Sequence, residues 1–117
     1  KIIAKISKEE ITAWKKNGFI LYHTSDGNKF RVNYPFFLDA EKADGKEAAR
    51  EIAIPTLIVH GDADQSVPVE QSIKTASLIK DCRLEIIKGA DHRFLKPEDN
   101  ARGLQLVVDF LAKYLSP

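Results

Sequence analysis

A chain of 117 residues with 44% hydrophobic content is the length of one domain, able to bury about two thirds of its unfolded surface. Its 18 basic and 17 acidic residues leave a formal net charge of +1, and the lysines (Lys5, Lys8, Lys15, Lys16, Lys29, Lys74, Lys80, Lys113) are scattered without forming a stripe for phosphates, so no nucleic-acid partner is expected. The single cysteine, Cys82, excludes an internal disulfide and points to a reducing compartment. It opens a predicted strand with no histidine beside it and reads as a structural thiol. No apolar run approaches the roughly 18 residues of a membrane span and the first residues lack a signal-peptide layout, so a cytoplasmic protein without a membrane partner is expected. The chain has no methionine and begins with Lys1, which suggests a piece of a longer polypeptide.

In chain order, SKEEITAWKKNG has a capping-box arrangement, with Ser7 as N-cap, Glu10 three residues on, apolar Ile11 and Trp14, and Gly18 as a stop. A short amphipathic helix is predicted. FILYHT and KFRVNY then flank SDGN, where Asp26-Gly27 supplies turn residues for a hairpin. PFFLDAEKADGKEAAREI reads as one or two short helices broken near Gly45. Trp14, Phe19, Phe36 and Phe37 either face an apolar substrate or, the reading preferred, form a small core for this region.

At Pro55 the pattern changes. IPTLIVHG is a continuous apolar run of the kind shown by parallel strands covered on both faces. Pro68 pre-sets a helix over VEQSIKTASLIK, RLEIIKGA makes a second strand, and Pro97 opens a last helix with an apolar stripe at Ala101, Leu104, Val108, Leu111 and Leu115. Strand, helix, strand, helix is the signature of a parallel α/β sheet.

Two loops come after the carboxyl ends of these strands, GDADQS and GADHRF, and open α/β sheets bind ligands along that edge. Adjacent parallel strands lie about 4.8 Å apart, so an acid from one loop can meet an imidazole from the other. Asp64 and His92 are the natural pair, because an aspartate that accepts an Nδ1 proton fixes the tautomer of a general base. The alternative is that Asp62, Asp64 and Asp91 make Asx-turns. His60 is expected to pack or to bond backbone, and His23 to sit in the hairpin. Asp62, Asp64, Asp91 and His92 have no recognised metal-ligand spacing, and no cofactor is implied.

IPTLIVHGDADQSVP and, downstream of it, IIKGADHRF resemble the C-terminal part of a serine hydrolase of the α/β-hydrolase fold, in the esterase and serine-aminopeptidase-like branch. The resemblance implies an α/β fold class: two parallel strands with flanking helices over 53–117, and a helix-and-hairpin lid region over 1–52. It places the triad acid four residues after the histidine of the HGxxD motif, at Asp64, the base at His92, and Asp62 in the turn. The family's G-x-S-x-G nucleophile elbow is absent, since Ser7, Ser25, Ser66, Ser72, Ser77 and Ser116 have no such flanks. The resemblance thus implies a fragment with two of three triad members, inactive alone, whose parent cleaves a small-molecule ester, thioester or amide and whose missing N-terminal half is its partner. The competing expectation is a non-catalytic binding module with relic Asp and His. The unpartnered edge of the first parallel strand further predicts that the isolated chain forms a homodimer.

Overall fold

The computed structural model describes residues 6–24, 26–43 and 45–115; Lys1 to Lys5, Ser25 of the SDGN turn, Asp44, Ser116 and Pro117 lie outside the described residues. The chain divides into two compact units, Lys1–Asp44 and Gly45–Pro117. The division lies upstream of the 52/53 boundary drawn from the sequence, so the short helix α3 (Gly45–Glu51) goes with the second unit.

In the first unit α1 (Lys8–Asn17) begins where the capping box places it. The Ser7 hydroxyl accepts the Glu10 amide proton at 3.1 Å, and the Glu10 carboxylate accepts the Ser7 amide proton at 2.8 Å. The helix ends at Gly18, whose φ of 78° lets its N–H turn back to the Trp14 carbonyl. Strands β1 (Phe19–His23) and β2 (Lys29–Asn33) pair antiparallel from Phe19↔Asn33 to His23↔Lys29. Tyr34, expected in the second strand, instead starts α2 (Tyr34–Lys42), because Pro35 carries a φ already suited to a first helical turn. Trp14 is buried, with its ring edge-on to Tyr34 and Phe37 and its Nε1–H donated to the Val32 carbonyl at 2.9 Å. Trp14 and Phe37 are therefore core, as preferred from the sequence. Phe36 is exposed, and Phe19 carries the Arg31 guanidinium over its ring.

In the second unit β3 (Thr56–Gly61) and β4 (Cys82–Ile87) pair in parallel, in register from Thr56↔Cys82 to Gly61↔Ile87. Among the described residues β3 pairs with β4 alone. Helices α4 (Val69–Ala76) and α5 (Pro97–Leu115) each pack on both strands. Strand alternation sorts them. Leu57 and Val59 join the cluster of Ile87, Ala90 and Leu106 from α5, so His60, one position out of phase, points to the other face, where α4 lies.

Two helical expectations change. The helix predicted over 69–80 stops at Ala76, where the Thr75 and Ser77 hydroxyls have turned onto the carbonyls of Gln71 and Lys74 and the chain tightens, although Ile79 is still buried. In α5 the predicted stripe is not the face against the sheet. Leu106 is buried, with Gly103 close to Ile87, whereas Leu104, Val108, Leu111 and Leu115 are 45–73% exposed. The helix is apolar on two sides, and periodicity alone does not say which side meets the strands. No helix among the described residues is long and apolar enough to cross a membrane.

Gly61 ends β3 against the loop after β4, and a Cβ on it would lie 2.1 Å from the Ala90 carbonyl oxygen. That oxygen belongs to backbone and has little freedom to yield. Gly61→Ala is expected to destabilise the chain by at least about 2 kcal/mol, as an overpacked site does. Gly89→Ala meets no atom and faces only the cost of its φ of 76°, roughly 1 kcal/mol. Urea unfolding of the two variants checks the order.

Candidate active site

Parallel register brings the carboxyl ends of β3 and β4 to one edge, and the loops beyond them are tied together. The Asp62 amide donates to the Ile87 carbonyl at 3.2 Å and the Ala63 amide to the Ala90 carbonyl at 3.1 Å. The Asp62 carboxylate reaches across to accept the Gly89 amide proton at 2.5 Å. Asp62 thus joins the two loops as well as belonging to the first turn. In the second loop the Asp91 carboxylate accepts the amide protons of Arg93 and Leu95, an Asx-type arrangement that carries Phe94 through a φ of 52° and onto the core cluster.

On this frame Asp64 meets His92. One oxygen, Oδ1, accepts the amide protons of Ser66 and Val67, each at 2.8 Å, and the other, Oδ2, lies 2.8 Å from His92 Nδ1. The two sequence readings of Asp64, turn-former and histidine partner, hold together, one per oxygen. Only 4% of the Asp64 side chain is exposed, while that of His92 is 51% exposed. Burial pushes the Asp64 carboxyl up, but the Val67 amide, His92 and the Ser66 amide outweigh it and hold the carboxyl at about 2, against an ordinary 3.8. A carboxylate accepts and cannot donate, so neutral His92 carries its proton on Nδ1 and presents a lone pair at Nε2.

His60 is where the structure goes beyond the sequence reading. It is buried and bonds backbone as expected, with Nε2 3.0 Å from the Val67 carbonyl, but the same nitrogen lies 3.1 Å from Asp64 Oδ2 and its Nδ1 lies 2.6 Å from the Ser72 hydroxyl on α4. The four-residue spacing to Asp64 was the available signal. His60, Asp64, Val67, Ser72, His92 and Phe94 line much of a cavity of about 260 Å³. His23 lies away from this site, at the end of β1. Burial, then the neighbouring Asp81, pushes the Cys82 thiol up, which makes it a poor nucleophile.

The lowered Asp64 carboxyl makes stability depend on acid. A group whose folded value is depressed stabilises the fold above its unfolded value, near 3.8, and that contribution disappears as pH falls through about 2. The wild-type chain is expected to lose stability between pH 4 and pH 2 more steeply than Asp64→Asn. Urea midpoints across that range check it, and parallel curves would refute it.

The chain is 33% identical over 90 residues to a non-heme haloperoxidase of Rhodococcus erythropolis, a stretch that covers 76% of the chain and 30% of the relative. It is 31% identical to a bifunctional esterase/perhydrolase of Acinetobacter calcoaceticus, again over 76% of the chain and 30% of the relative. The chain therefore spans about a third of the length of these curated relatives. Among solved structures, alpha/beta hydrolase domain-containing protein 10 from mouse superposes with a TM-score of 0.74 at 24% identity, covering 98% of the chain and 47% of that protein, which shows the fold. The architecture is the C-terminal portion of an α/β-hydrolase fold. The model of the prolyl oligopeptidase family matches residues 7–117, a stretch that includes the loops of Asp64 and His92, and the chain belongs to that family of α/β hydrolases.

Proposed function

We propose that this chain is the acid-and-base part of a serine hydrolase that cleaves a carboxylic ester, with thioester or amide as the related substrates. The observation that carries the reading is the 2.8 Å approach of Asp64 Oδ2 to His92 Nδ1, with the acid's other oxygen pinned by two backbone amides. The nucleophilic serine comes from a segment outside this chain. His92 Nε2 takes the hydroxyl proton as that oxygen bonds to the substrate carbonyl carbon, then delivers it to the leaving oxygen as the ester C–O bond breaks. Water then hydrolyses the acyl-enzyme by the same proton route. Asp64 holds the ring in the Nδ1–H tautomer and stabilises the imidazolium formed at each step.

The exposed apolar side of α5, at Leu104, Val108, Leu111 and Leu115, and the edge of β3 that has no partner strand among the described residues support the same reading. They are surfaces that the rest of a larger hydrolase sheet and its helices would cover. The name of the esterase/perhydrolase relative favours an ester over an amide.

In the longer protein, Asp64→Asn is expected to lower turnover by several orders of magnitude, beyond what the loss of the lowered carboxyl's contribution to stability accounts for. Asp62→Asn keeps an acceptor for Gly89 and is expected to change turnover little. Equal losses from both would remove Asp64 from the proposed role. A serine-directed phosphonate is expected to label the longer protein and leave the 117-residue chain unmodified, as mass spectrometry would show.

A further inference from the structure

Among the described residues β4 pairs with β3 alone, and the ladder decides which backbone groups its outer edge offers. The Thr56 amide donates to the Asp81 carbonyl at 2.9 Å and the Asp62 amide to the Ile87 carbonyl at 3.2 Å, one at each end of the pairing. Alternate residues of a strand turn their amides and carbonyls to a parallel partner, so Asp81, Arg83, Glu85 and Ile87 are turned to β3. The amides and carbonyls of Cys82, Leu84 and Ile86 point the other way, where no described strand meets them. Side chains alternate as well. Cys82, Leu84 and Ile86 share one face of the strand, and Arg83 and Glu85 the other.

We infer that this edge is the contact surface for a second copy of the chain, paired antiparallel about a two-fold axis at Leu84. The stretch CRLEI has the same chemistry read outward from Leu84 in either direction, except that its two charges are opposite in sign. With the axis at Leu84, each Leu84 faces its counterpart, Cys82 faces Ile86 of the second copy, and Arg83 faces Glu85 of the second copy. Every outward amide and carbonyl of the three apolar residues then finds a partner. Arg83 and Glu85 fall at the non-hydrogen-bonded positions, where opposed side chains come closest. Within one copy Nε and Nη2 of Arg83 lie 2.7 and 2.6 Å from Glu85 Oε1, with 54% and 27% of the two side chains exposed. Two such pairs close into a ring of four alternating charges. An axis at Arg83 or at Glu85 would instead set like charges opposite each other, which fixes the register. Asp109 and Lys113, which line a hollow with Arg83, are engaged elsewhere, Asp109 with Gln105 and Lys113 over the Tyr114 ring. The edge of β3 is the one that the rest of a larger sheet would cover, and filling it leaves the outer edge of β4 open. The inference does not rest on Asp64 and His92.

Sedimentation equilibrium of this chain tests it. The wild type should dimerise reversibly. Arg83→Glu and Glu85→Arg each put like charges across the axis and should weaken the dimer by about ten-fold or more. An equimolar mixture of the two variants should form a heterodimer as tight as the wild-type dimer, because an acidic strand then meets a basic one. A strictly monomeric wild type overturns the inference. So does a dimer that both variants keep, which would locate the contact elsewhere, the β3 edge included, and so does a mixture that fails to associate. Amide hydrogen exchange of the wild type needs no variant to fold: the Cys82, Leu84 and Ile86 amides should become protected as concentration rises, while those of Arg83 and Glu85 are protected by β3 throughout. A dimer that leaves the exchange of those three amides unchanged also overturns it.

Discussion

The parallel pairing of β3 with β4 is the constraint on which the candidate site depends. Register from Thr56↔Cys82 to Gly61↔Ile87 makes both strands end together, and the absence of a side chain at Gly61 lets the Ala90 carbonyl sit where a Cβ would otherwise be. The closeness allows the Ala63 amide and the Asp62 carboxylate to bond across to the second loop. Asp64 and His92 are 28 positions apart in the chain, and this local fusion of two loops brings them within hydrogen-bond distance. A shift of one residue in register would turn every side chain of the moved strand to its other face.

Asp64 shows how one side chain can close a turn and meet a histidine without conflict. Its Oδ1 closes the turn at Ser66 and Val67, which fixes the carboxylate plane, and Oδ2 is thereby aimed at His92. Desolvation alone would favour a neutral acid, unable to accept from an imidazole N–H with full strength. The ring of donors reverses that preference and holds the carboxyl at about 2, ionised at neutral pH. Burial with compensation gives a charge that is held in place and shielded from bulk water, as the proposed partner of a general base requires.

Much of this was legible in the sequence, for identifiable reasons. The capping box at Ser7 and Glu10, the Asp26-Gly27 turn, Pro68 before α4 and Pro97 at the start of α5 are local signals whose physics is complete within a few residues. The apolar run at 56–61 announced a strand, though Thr56 to Val59 are only half-buried here, and the two loops after the strands announced Asp64 and His92 as neighbours. Tertiary effects were harder to see. The contact of His60 with Asp64 depends on the loop curling back over the strand end, and a histidine ending an apolar strand reads first as core. The choice of face on α5 depends on Leu106 meeting Ile87 and Ala90, which a helix apolar on two sides does not reveal. The early end of α4 came from hydroxyls competing for carbonyls, and the turn at Phe94 from Asp91 capturing two amides.

The central claim is that Asp64 and His92 form a working acid–imidazole pair within this chain, ready for a nucleophile supplied from outside it. The most direct measurement is a long-range ¹H–¹⁵N correlation spectrum of the His92 ring in its neutral form. A protonated Nδ1 with a strongly downfield proton and an unprotonated Nε2 are predicted, a pattern lost in Asp64→Ala. A His92 ring with its proton mainly on Nε2, unchanged when Asp64 is removed, would contradict the claim.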